Sequence, residues 1–155
     1  MPRSLPVLKA ALLSKVWAPT TPNATRAATA QAWADAYGVY ALDALGCGTP
    51  PGPGQIDAAK ARFLPLMEAA MTGVAAPAAA NGIQAAFIAW WTGFAFTGTA
   101  VVLPGTPTLA PALLGQWGSN PSIGSIDVAV TAHANLIHAW TGTVVTGLPC
   151  NAPIL

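Results

Sequence analysis

Charge is what this sequence has least of. Only 7% of its 155 residues are Asp, Glu, Lys or Arg, against roughly 25% in an ordinary soluble domain. The shortage is lopsided: every charged residue except Asp127 lies between Arg3 and Glu68, and the stretch from Ala69 to Ile126 has none. A net charge of +1 without any cluster of Lys or Arg argues against direct nucleic-acid binding. A dispersed monomer normally relies on a charged surface, so much of this surface is expected to be covered, either by a bilayer or by other subunits.

The residues that carry chemistry are scarce too. Cys47 and Cys150 are the two cysteines, too few for a metal site; the expectation is two reduced structural thiols, with a single disulfide between them left open. His133 and His138 stand five apart on a predicted helix, whereas helical metal-ligating pairs sit four apart on one face. The expected roles are one buried, hydrogen-bonded His133 and one surface or interface His138. No nucleophile elbow of the G-x-S-x-G kind occurs, and Asp35, Asp43, Asp57 and Glu68 fall on wet helix faces. The chain is therefore expected to be no enzyme, with no catalytic residues, no cofactor and no metal. Lys9 and Lys15 interrupt the early apolar residues, which argues against a secretory leader and for synthesis in a cytoplasm.

What the chain has in quantity is apolar residues, 54%, punctuated by 15 Gly and 15 Pro. Its length fits one domain over 1–155 with a short N-terminal and a Pro-rich C-terminal tail. Leu5, Leu8, Leu12 and Val16 predict a short helix over Leu5–Trp17. Thr21–Pro22 reads as the cap of a second helix reaching Leu45, with Trp33, Tyr37 and Tyr40 at helical spacing. "GCGTPPGPG" from Gly46 to Gly54 is a loop; without a Gly-Lys-Ser/Thr ending it cradles no phosphate. Ile56–Thr72 is helical, with Pro65 expected to kink or split it. Further helices are predicted from Pro77 to Trp91, over Leu109–Trp117, and from Ser125. The last has Ile126, Val130, Ile137, Trp140 and Val144 on one stripe and Asp127, Thr131, Asn135 and His138 on the other. The expected fold is a mainly helical bundle of five to six helices.

One ending occurs twice. "WTGFAFTG" at Trp91–Gly98 and "WTGTVVTG" at Trp140–Gly147 stand 49 positions apart. Each reads as a helix closed by tryptophan, a left-handed glycine cap, a short extended segment and a turn. The segments after Trp91 and Trp140 are expected to form a small β element, by pairing with each other or with neighbouring subunits.

Ile83–Leu103 is uncharged over 21 residues, long enough to cross a bilayer. Its glycines, threonines and β-like second half argue against one continuous helix, and no Lys or Arg flanks it. The preferred alternative is a subunit whose uncharged half is buried by neighbours, since charge is depleted at the centre of interfaces while aromatic residues concentrate there. The expected contact residues are Trp90, Trp91, Phe94, Phe96, Trp117 and Trp140. An aromatic-lined ligand-binding module is a further alternative.

The order of "LKAALLSKVW", "AQAWADAYGVYALDAL", "WWTGFAFTG" and "AHANLIHAWTGTVVTGLP" resembles small structural proteins of tailed bacteriophages at neck, tail-completion or capsid-associated positions. The resemblance implies a non-enzymatic subunit repeated in a ring or lattice of the virion, contacting its own copies and neighbouring virion proteins. It implies no functional residue, because none of these stretches is a site signature.

Overall fold

Leu8 and Leu12, on one face of the first helix, are both fully buried. The computed structural model describes residues 3–18, 23–72, 75–103, 108–119, 125–147, 150 and 152–154. Helix α1 spans Leu5–Leu12 with Pro6 in its first turn, where the missing N–H costs nothing, and continues as a wider π-helical turn over Leu13–Trp17. Helix α2, Arg26–Leu42, starts at Thr25, whose hydroxyl accepts the Ala28 N–H at 3.1 Å. The cap expected at Thr21–Pro22 lies outside the described residues, and the helix ends at Leu42 rather than Leu45. Helix α3, Gln55–Ala70, contains Pro65 and runs unbroken instead of splitting. Pro65 and Ala61 are both exposed, so the carbonyl that loses its partner can be hydrated.

Helix α4, Ala76–Trp91, is followed by strands β1, Ala95–Phe96, and β2, Thr99–Val102. Ile83–Leu103 is thus a helix end and a hairpin, not the single helix a bilayer crossing needs. No helix among the described residues is long and apolar enough to cross a membrane. Helix α5, Leu109–Ser119, precedes α6, Ile126–Thr141, which opens where the Ser125 hydroxyl accepts the Val128 N–H at 3.3 Å. Strand β3 is Val145–Thr146. The structure is mainly helical, with six α-helices and one small antiparallel sheet among the described residues.

Each helix packs on the next in sequence, and α6 closes the circle on α1. Small residues (Ala30, Ala34, Ala41, Ala80, Ala86 and Ala134) are buried along these seams. The space left between closely packed backbones is filled by aromatic rings. Tyr37 meets Phe87 at 4.8 Å and Trp90 at 4.9 Å, and Phe63 meets both Phe87 and Trp90, all edge to face, the arrangement the ring quadrupole favours. The accessible surface is 7374 Å², close to the roughly 7250 Å² of a compact monomer of this mass. The chain thus completes a core of its own. Ile126, placed on the inward stripe by its spacing, is instead 53% exposed in the first turn of α6, where Lys9 of α1 reaches Asp127 at 3.0 Å.

The sheet order is β1-β2-β3, with Phe96 opposite Thr99 and Val102 opposite Val145. The segments after Trp91 and Trp140 therefore build the β element: β1 and β3 do not pair directly, but β2, the continuation of the first segment, pairs with both. Both outer strands meet a proline: Pro51 bridges Phe96 and Pro153 bridges Val145. A proline there ends the ladder, because it offers no N–H to a further strand. Cys47 and Cys150 form a disulfide across 103 residues with Cα atoms 5.9 Å apart, so the expectation of two reduced thiols is corrected. Their meeting depends on the C-terminal segment returning to the sheet, where Ile154 N–H donates to Val144 O at 3.1 Å.

Candidate functional site

Five of the six expected contact residues lie inside this chain's own core. Trp90, Trp91 and Phe94 are fully buried, Phe96 is 2% exposed and Trp140 is 4% exposed. Trp117 alone is half-buried. The five buried aromatics organise the fold.

Their organiser is Tyr37. Trp91 Nε1 donates to Tyr37 Oη at 2.9 Å, Tyr37 Oη donates to Thr141 Oγ1 at 2.8 Å, and Thr141 Oγ1 donates to Ile137 O at 2.7 Å. The relay is directional and every hydroxyl in it both accepts and donates, as buried polar groups require. Burial, reinforced by neighbouring Tyr40, pushes the Tyr37 phenol far above its ordinary pKa.

The relay also joins the two similar endings, and it shows how they correspond. Helices α4 and α6 start and end 50 residues apart, and so do β1 and β3. The matching turns are Phe94 N–H to Trp91 O and Val144 N–H to Thr141 O, each at 3.1 Å. Trp90 therefore corresponds to Trp140, and Trp91 to Thr141; the lettered repeat at 49 is one residue out of step with the backbone. The glycine caps differ accordingly. Gly93 adopts the left-handed conformation at φ 69°, as expected, whereas Gly142 is right-handed at φ −64°. Gly142 is required for a different reason: a Cβ there would stand 2.8 Å from Arg3 Nη2. Trp90 and Trp140 share a further trait, since neither buried indole N–H meets an acceptor among the described residues.

An arginine closes each of these helices. Arg62 Nε and Nη2 donate to Ala89 O at 3.0 Å and Trp90 O at 3.2 Å at the end of α4. Arg3 Nη1 donates to His138 O at 2.7 Å at the end of α6, and to Tyr40 Oη at 2.9 Å, while Nε donates to Ile154 O at 2.8 Å. A guanidinium suits the negative end of a helix dipole and supplies several donors in fixed geometry. Tyr40 Oη, which accepts from Arg3, also lies at 2.8 Å from His138 Nδ1. Desolvation and then Arg3 hold the His138 pKa below the ordinary value. Burial raises the Tyr40 pKa, opposed by Arg3.

His133 Nδ1 stands 2.9 Å from Ala129 O and 3.2 Å from Gln116 Nε2; the shorter carbonyl contact is met with Nδ1 as the donor. Its Nε2 then accepts from Trp117 Nε1 at 3.4 Å. Burial lowers its pKa, partly offset by the Ala129 contact. His133 and His138 thus have separate surroundings, and no three His, Cys, Asp or Glu side chains gather to hold a metal among the described residues.

The exposed large apolar residues are elsewhere. Val39 and Leu42 project from α2 at 43% and 58% exposure and Leu66 from α3, while Val102 of β2 and Ile126 and Val128 of α6 are exposed on other parts of the surface. Leu42 borders a groove of about 480 Å³ walled by Pro50, Pro51, Pro53 and Ile56, with Asp57 and Lys60 at its edge. The sequence carries a signal for this face, in that α2 is apolar on more than one side. Comparison with protein-family models, curated proteins and solved structures finds no match for this chain.

Proposed function

We propose that the chain is a non-enzymatic structural subunit of a repeated assembly, a phage-like virion, at a neck, tail or capsid-associated position. The observation that carries the reading is Leu42, 58% exposed one turn after Val39 and beside the proline-walled groove. Adjacent exposed large apolar side chains mark interaction surfaces. A wall of prolines is already rigid, so docking on it forfeits little chain entropy. The same face offers both a protruding leucine and a proline-walled recess edged by Asp57 and Lys60, a layout open to a two-fold contact between copies.

Six cationic and five acidic side chains share the whole surface, and several are engaged internally, in Lys9–Asp127, Lys60–Asp35 and the two arginine caps. Little repulsion opposes close approach of copies. The virion placement itself rests on the resemblance in element order. The Cys47–Cys150 disulfide suits a virion outside the host, because disulfides persist in oxidising surroundings that include virion surfaces.

Sedimentation velocity of the wild type and Leu42→Glu tests the contact face. The expected result is a smaller sedimenting species for the variant with wild-type helicity. Identical sedimentation of the two would remove this face from the account.

A further inference from the structure

Trp33 of α2, Met67 of α3, Ile83 of α4, Trp117 of α5 and His133 of α6 converge on a cavity of about 300 Å³, closed also by Met71 just after α3. Trp17 packs on Trp33 at 5.1 Å and on His133 at 5.2 Å behind the cavity wall, and protein interiors leave few voids larger than a water. The cavity opens partly to the surface and has room for a small ligand. Its walls are apolar apart from one imidazole, and water held there would lack the two to four polar partners it needs. Trp33, Met71, Ile83, Trp117 and His133 are each half-buried, so the cavity wall reaches the surface and an occupant can enter. The two thioethers can adjust to an irregular shape.

We propose that this cavity binds a neutral aromatic molecule of about two fused rings that carries one hydroxyl. The rings lie against Trp33 and Trp117, and the hydroxyl donates to His133 Nε2. The size follows from volume, since a 150 Å³ apolar cavity takes one benzene ring and this one is about twice that. The polarity follows from the tautomer: Nδ1–H is given to Ala129 O at 2.9 Å, which leaves Nε2 as the acceptor. The contact that Nε2 makes in the free chain, Trp117 Nε1 at 3.4 Å, is long and easily exchanged for a shorter one. Neutrality follows from the wall, which has no Lys, Arg, Asp or Glu to compensate a buried charge.

Equilibrium dialysis of the purified full-length chain against 2-naphthol, naphthalene and 2-naphthoate tests the proposal. 2-Naphthol is expected to bind at one per chain, at least fivefold more tightly than naphthalene and at least tenfold more tightly than 2-naphthoate. Ala79→Phe, which places a ring in the cavity wall, is expected to abolish binding with helicity retained; Ile83→Trp serves the same purpose if the first variant does not fold. His133→Leu is expected to bind naphthalene and lose the preference for 2-naphthol. Absence of 2-naphthol binding, equal binding of 2-naphthol and naphthalene by the wild type, or undiminished binding by the filled variants overturns the proposal.

Discussion

Tyr37 Oη and Thr141 Oγ1, 104 residues apart in the chain, meet at 2.8 Å in a fully buried position. That bond couples the middle of α2 to the end of α6, and Trp91 extends it to the end of α4. Tyr37→Phe removes the hydroxyl and leaves the Trp91 N–H buried without an acceptor. The expected loss of stability is about 2–3 kcal/mol, the range for an orphaned buried donor plus a lost bond. Urea denaturation measures it, and a loss below about 0.5 kcal/mol would show that the relay contributes little.

Arg3 and Gly142 form a second pair that a double-mutant cycle can isolate. Arg3→Met removes three hydrogen bonds that tie both chain ends to α2 and α6, at an expected cost of about 2–3 kcal/mol. Arg3→Lys is not expected to rescue it, because an ammonium cannot reproduce the guanidinium fork. Gly142→Ala is expected to cost about 1–2 kcal/mol by crowding Arg3. In the Arg3→Met background that cost is expected to fall by at least half. A cost unchanged in the two backgrounds would place the strain elsewhere.

Acid should weaken the fold through its histidines. The pKa values of His133 and His138 are both lowered in the folded chain from 6.5, so the unfolded chain takes up protons first as pH falls. Their contribution is complete above about pH 6.5 and declines below it. At the alkaline end the sign reverses, because Tyr37 and Tyr40 are raised above 10.0 and the unfolded chain ionises first. Urea midpoints are expected to be flat between about pH 7 and 9.5, falling on both sides. A midpoint that rises from pH 7 to pH 5.5 would contradict the lowered pKa values of the two imidazoles.

Reduction should weaken it further. Closing a loop of 103 residues stabilises a fold by about 2–5 kcal/mol, chiefly by restricting the unfolded chain. Dithiothreitol, or Cys47→Ala with Cys150→Ala, is expected to lower stability by that amount. If neither changes the urea midpoint, the bond is absent from the native protein.

Much of the helical order was legible in the sequence, for periodicity and caps are local. Ser125, the Gly46–Gly54 loop and the stripe of Val130, Ile137 and Trp140 all read directly. Thr25 was missed because Thr21–Pro22 offers a stronger local pattern. The aromatic residues were misplaced for a longer-range reason. Low charge suggested covered surface, but alanine-lined seams draw the helix backbones together and leave central space that Trp90, Trp91 and Phe87 fill. The repeat was misaligned because Trp90 and Trp91 are adjacent and identical. Letters match Trp91 to Trp140, whereas burial and backbone turns match Trp90. Arg3 gave no local sign, since its partners at Tyr40, His138 and Ile154 are distant in sequence. The exposure of Leu42 was hidden because an exposed leucine and a buried one look alike on an apolar helix.

The most direct test of the structural-subunit reading is the mass of the purified chain in detergent-free buffer, by light scattering behind a sizing column. The account predicts a discrete multiple of 15.6 kDa, reduced by Leu42→Glu. A single species at the monomer mass, unchanged in Leu42→Glu across micromolar concentrations, would contradict self-assembly through this face.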